Sequence, residues 1–139
     1  MSAKDFMMRG INLERRVETI KYQIEHYRTL LNDCSVTYSD SPKSTASNYK
    51  LEDCTQKIMD LEEELCSAMA DLVDVTCEIA RAIQKLDNYD YQDLLVMRYV
   101  LGKPWEDIAE GMKYSEQHIH RLHGEALKKI SELRVNVME

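Results

Sequence analysis

The stretch on which the fold turns is Leu94–Ile130, LLVMRYVLGKPWEDIAEGMKYSEQHIHRLHGEALKKI. Just before it, Asp90 is placed to cap a helix carrying Leu94, Leu95, Val96, Met97, Tyr99 and Leu101. Gly102 ends that helix, because glycine enters the left-handed conformation past a C-terminus without steric cost. Pro104 stands where a first helical turn tolerates a missing N–H. Glu106 and Asp107 follow where the macrodipole favours negative charge. Trp105, Ile108, Ala109 and Met112 recur at helical spacing and make one apolar face. Ser115 is a good N-cap for a third helix. On it Ile119, Leu122, Ala126, Leu127 and Ile130 share an inner face, which leaves Gln117, His118, His120, Arg121 and Lys128 outward. Three short amphipathic helices must bury their stripes on one another. Helix, glycine break, helix, tight turn, helix is the layout of a helix-turn-helix.

Upstream the pattern changes. Leu51, Cys54, Ile58, Leu61, Leu65, Ala68, Leu72, Val75, Ile79, Ala82 and Leu86 alternate three and four apart without a break, a heptad seam that predicts a coiled coil. Leu13, Val17, Ile20, Ile24, Tyr27 and Leu31 repeat the pattern on a first helix expected to start near Ala3. Between the seams, residues 35–48 read SVTYSDSPKSTASN, rich in Ser and Thr with Pro42 inside, which predicts a loop. Ser47 or Asn48 would cap the second helix. Two seams joined by a loop fold back most simply as an antiparallel hairpin. The expectation is an all-α chain with two domains: a coiled-coil hairpin over 1–87, with its loop at about 34–48, and a helix-turn-helix over 88–139. Few Gly (4) and Pro (2) among 139 residues agree with an all-helical chain.

A second apolar row on the long helix, Cys66, Met69, Val73, Cys77, Ala80 and Ile83, lies beside the seam. That part of the helix therefore needs more than one partner, supplied within the chain or by a second subunit, so a homodimer is one expectation. The four cysteines show no C-x-x-C spacing; they read as small apolar core residues rather than metal ligands.

Net charge is −7, unusual for a free-standing nucleic-acid binder. Its distribution matters more. Residues 51–78 hold one Lys against nine acids, whereas residues 113–134 hold five Lys/Arg against three acids. The sequence thus places its basic surface on the third helix of the quoted stretch. Enzyme chemistry finds no support. His118, His120 and His123 lack ligand spacing apart from one pair, and no Gly-rich phosphate loop or nucleophile elbow occurs. No cofactor, metal, small-molecule substrate or membrane partner is expected. No apolar run approaches the roughly 20 residues that span a bilayer, and no charged-then-apolar leader opens the chain, which predicts a soluble, cytoplasmic protein.

Arg98-Tyr99, the WEDIAEGM run at Trp105–Met112, the cap Ser115 and the tail HGEALKKI at His123–Ile130 resemble region 4 of bacterial sigma factors and regulators that share its fold. The whole layout is also similar to small proteins of phages and prophages of Gram-positive bacteria, among them late-transcription regulators of the ArpU and RinA type. Lys113 stands where that family commonly has Gly, which predicts a looser or differently shaped turn. Glu116 occupies a place where many such helices carry Arg. The resemblance implies that the helix beginning at Ser115 enters a DNA major groove, with Glu116, Gln117, His120 and Arg121 near base edges. In that setting Arg121 suits guanine O6/N7, Gln117 adenine N6/N7 and Glu116 cytosine N4. Lys113, Ser115 and Lys128 suit phosphates, and His118 and His120 can gain charge beside them. Double-stranded DNA is then the expected partner, with RNA polymerase a second that the resemblance implies. A competing class stays open: an assembly component, such as a small terminase-like DNA-packaging subunit, in which the coiled coil matters most.

Overall fold

The computed structural model describes residues 2–36 and 45–138. They are all-helical: α1 (Ala3–Val36), α2 (Thr45–Gln84), α3 (Tyr89–Leu95), a π-helical turn (Val96–Val100), α4 (Trp105–Met112) and α5 (Glu116–Met138). None of these helices is long and apolar enough to cross a membrane.

One helix end lies where expected and others do not. α1 starts at Ala3, where Ser2 Oγ accepts from the Asp5 N–H at 3.1 Å and Asp5 returns a bond to the Ser2 N–H, a reciprocal cap. The Ser2 bonds also hold the Asp5 carboxyl below its usual range. α2 begins at Thr45, so Ser47 and Asn48 lie within the helix rather than ahead of it. Propagating a helix costs little once the seam has nucleated it, and Ser or Asn in its first turns costs only tenths of a kcal/mol each, roughly 0.5. Residues 35–36 and 45–48 of the expected loop are thus helical; residues 37–44 fall outside the described residues.

The chain divides into two compact units, Glu14–Asp71 and the pair Met1–Leu13 with Leu72–Glu139. In the first, Val17, Ile20, Ile24 and Ala68 are buried, and the flanking seam positions Tyr27, Leu31, Leu51, Cys54, Ile58, Leu61 and Leu65 are half-buried. Arg16 bonds Glu64, Arg28 reaches Glu62 at 2.9 Å, and Lys57 lies over the Tyr27 ring. All three contacts join α1 to α2. These ion pairs are exposed and add little beyond alignment. Cys66 and Cys77 are exposed, which corrects the expectation that they are core residues: both sit off the seam, where the helix faces water. Cys54, on the seam, is half-buried. The side chain of Cys34 lies outside the described residues.

The second unit has one apolar core. Phe6 and Met7 from α1 and Val75, Ile79, Ile83 and Leu86 from the end of α2 and beyond meet Leu94, Leu95 and Tyr99. Ile108 and Ala109 from α4 and Ile119, Leu122, Ala126 and Ile130 from α5 complete it. α3 and α4 both pack on α5. Gly10 sits where an added Cβ would approach Ile79 at 3.4 Å, so α1 and α2 approach closely there. The inner face expected for α5 is observed, with Leu127 packed half-buried at its edge.

Asn88, not Asp90, caps α3: its side chain accepts from the N–H groups of Asp90 and Tyr91. The helix starts two residues earlier than expected, since an Asn at that position serves as well as an Asp. The first helix also does not run as a regular α-helix to Leu101. After Leu95 it widens into a π turn, closed by Leu101 N–H to Val96 C=O at 2.9 Å. The wider turn puts Tyr99 in the core. Gly102 then takes φ +67°, as expected of the residue that ends the helix. Pro104 is the N-cap residue of α4 rather than its first helical residue.

Replacing fully buried Ile119 by Ala should cost about 2–5 kcal/mol, because α3, α4 and α5 all lose contacts around the cavity. Replacing exposed Met59 by Ala should leave stability nearly unchanged. Urea melts followed by circular dichroism compare the two.

Candidate functional site

The junction of α4 and α5 is built by one residue. Lys113 adopts the left-handed conformation, φ +63° and ψ +37°. The N–H of Tyr114 then reaches back to Ala109 C=O at 3.1 Å, and that of Lys113 to Glu110 C=O at 3.3 Å. This is the paired closure that usually uses glycine. The turn is therefore neither loose nor differently shaped, as the missing glycine suggested; Lys113 bears the strain. Ser115 Oγ accepts from the His118 N–H at 3.2 Å and opens α5 as expected.

Tyr114, which the sequence reading passed over, ties the turn down. Its hydroxyl donates to Asp90 Oδ2 at 3.0 Å, and its ring meets His118 edge-on with centroids 4.5 Å apart. The Asp90 bond raises the Tyr114 pKa. His118 in turn accepts at Nδ1 from Arg121 at 2.7 Å. A guanidinium has donors only, so that nitrogen must be unprotonated in this contact. Tyr114, His118 and Arg121 thus form a chain that orients the guanidinium on the surface. The signal for it was legible, since His118 and Arg121 are one helical turn apart.

The other candidate residues fall into two groups. Ser115, Gln117, His118 and Arg121 line one shallow surface pocket. Gln117 and Arg121 are exposed, and Lys128 is exposed on the same face, seven residues further and about 10 Å along the axis. Lys113 and Glu116 are exposed beside the first turn. His120 instead lies against Trp105, with ring centroids 4.7 Å apart.

Trp105, expected as a core residue, is half-buried and packs against the core from its edge. It packs against His120, against His123 at 4.8 Å, and beneath the Arg98 guanidinium at 4.4 Å. Arg98 also donates to Lys103 C=O. His123 lies against the rings of Tyr99 and Trp105. It is half-buried, and its Nε2 shares a 2.6 Å hydrogen bond with the Tyr99 hydroxyl. Burial, and then the charges of Lys4, His120 and Arg98, push His123 down from 6.5 to about 4. Burial also raises Tyr99. Nearby, the Tyr91 hydroxyl donates to Glu125 Oε2 at 2.9 Å and ties α3 to α5.

A helical unit with a strained left-handed turn and a polar outer helix face defines the site. The chain belongs to the family described as Protein of unknown function (DUF1492), which it matches over residues 33–131. No curated protein and no solved structure matches it.

Two measurements follow from this geometry. Lys113→Gly should stabilise the protein by about 0.5–1 kcal/mol: relief of left-handed strain, of about 1–2 kcal/mol, outweighs the greater freedom glycine has when unfolded. A thermal melt reads the sign. His123 is neutral in the folded chain, so its contribution to stability is fully present above pH 6.5. It declines as pH falls from 6.5 towards about 4, where the unfolded chain takes the proton first. Allowing for partial solvent screening, the loss should be about 1–2 kcal/mol. Urea melts at several pH values should show this slope, and His123→Asn should flatten it.

Proposed function

We propose that this protein is a sequence-specific DNA-binding transcription regulator of phage or prophage origin. In this reading α4, the Lys113 turn and α5 act as a sigma region 4-like helix-turn-helix. α5 enters the major groove from Ser115, and the α1–α2 coiled-coil hairpin oligomerises or recruits a partner. The supporting observation is the face of α5 that carries Gln117, Arg121 and Lys128, all exposed and directed away from a core the helix otherwise fills.

Arg121 and Gln117 have the chemistry for purine edges, and Glu116 for cytosine N4. Lys113, Ser115 and Lys128 suit the phosphates that set register. His118 supports Arg121, and His120 stands at the edge of the same helix against Trp105. The acidic segment of α2 would repel phosphate, so a duplex that meets α5 is kept off that segment. With few cations there, one copy binds weakly at physiological salt. A second copy or an RNA polymerase partner raises the effective affinity.

A second reading, an assembly component of the small terminase type, draws on the exposure of Met59, Met69 and Val73 along α2. Light scattering separates them: a ring oligomer favours assembly, while a monomer or dimer with salt-sensitive, sequence-selective binding favours regulation.

Selection of bound sequences from random DNA, followed by anisotropy titrations, tests the first reading. Arg121→Ala should cost about 1–3 kcal/mol and relax preference at one base position. Lys128→Ala should weaken all sequences alike and lower the salt slope by about one. If both variants keep wild-type affinity for selected DNA, α5 is not the reading helix.

A further inference from the structure

Within the second unit, the ends of α2 and α5 enclose a groove of about 310 Å³ that DNA reading leaves unused. Its floor is apolar: Phe6, Ala82, Ile130 and Leu133. Its rim carries Arg81, Lys85 and Arg134. The one acid there, Glu78, is held by Arg9 at 3.3 Å. Among the described residues no carboxylate pairs with Arg81, Lys85 or Arg134; Arg134 lies over the Phe6 ring at 4.4 Å. This cationic rim is a second basic surface beside the one the sequence indicates on α5. Arg134 belongs to it because 13 residues separate it from Arg121, which turns it to nearly the opposite side of α5. A bare phosphate would satisfy the rim but leave the floor wet. The groove fits an apolar side chain flanked by carboxylates.

The same chain carries that complement. On α2, Met59 and Met69 are 56% and 46% exposed, and Cys66 is exposed as well. Glu63 lies four residues after Met59 and three before Cys66, so it shares their face. Glu62 and Glu64 are held by Arg28 and Arg16, whereas Glu63 has no ion pair among the described residues. Methionine is long and unbranched, which suits it to an irregular groove.

We propose that the α2 face of one copy carrying Met59, Glu63 and Cys66 docks into the groove rimmed by Arg81, Lys85 and Arg134 on a second copy of this chain. The two surfaces are unlike, so the contact is heterologous; it closes when the partners exchange strips or form a ring. The inference does not rest on DNA binding.

Sedimentation velocity on the full chain tests it by charge exchange. The wild type should self-associate, more weakly as salt rises. Lys85→Glu and Glu63→Lys, both at exposed positions, should each weaken association at least about tenfold, since like charges then meet. Mixing the two single variants should restore association, because each strip then finds a groove of opposite sign. The double variant should restore it in a single chain. Circular dichroism melts confirm that the variants fold. A wild type that stays monomeric up to roughly 1 mM overturns the proposal. So does association that either reversal leaves intact, or loss that mixing does not repair.

Discussion

The constraint on which the C-terminal half depends is that α3 and α4 are too short to stand alone. At seven and eight residues they are below the length at which an isolated helix holds in water. They persist because α5 offers Ile119, Leu122, Ala126 and Ile130 as one continuous apolar strip, and because Phe6, Met7, Ile79 and Ile83 cover the remaining faces. Everything at the surface of α5 inherits its position from that burial. The helix is pinned on one side, so its polar residues have a fixed direction on the other.

Polar contacts refine what burial sets up. Tyr114 to Asp90 and Tyr91 to Glu125 fasten α3 to the turn and to α5. Tyr99 and His123 fill the interior edge, where the π turn makes room. Exposed hydrogen bonds of this kind are worth about 0.5–1.5 kcal/mol each. Their value is geometric: they select one arrangement of the Lys113 turn and one orientation of Arg121. Charge is divided in the same way, with acids concentrated on α2 and cations on α5 and around the Phe6 groove. A net charge of −7 hides this division.

Much of the fold was legible in spacing. Every seam position from Leu51 to Leu86 is buried or half-buried, and the stripe of α5 lies where its period put it. Those readings hold because period and amphipathicity are local properties. Several readings that changed involved competition between neighbours. Asn88 displaced Asp90 as a cap, and Thr45 displaced Ser47 and Asn48 as the start of α2. Trp105 moved to the surface edge because His120, His123 and Arg98 gather around it. Phe6 and Met7 joined the core of a unit far away in the chain, a pairing that no local pattern records.

At the candidate site, the cap Ser115 and the outward set Gln117, Arg121 and Lys128 could be read from the sequence, since helical phase determines which side chains share a face. The role of Tyr114 and the burial of His123 could not. Each depends on groups brought together from different helices. By itself the sequence determined the helical class, the seams and the face of α5, because those follow from local period. The tertiary structure alone decided the left-handed turn at Lys113, the cationic groove and the environment of each histidine. Those depend on which helix lies against which, and on the burial that contact creates.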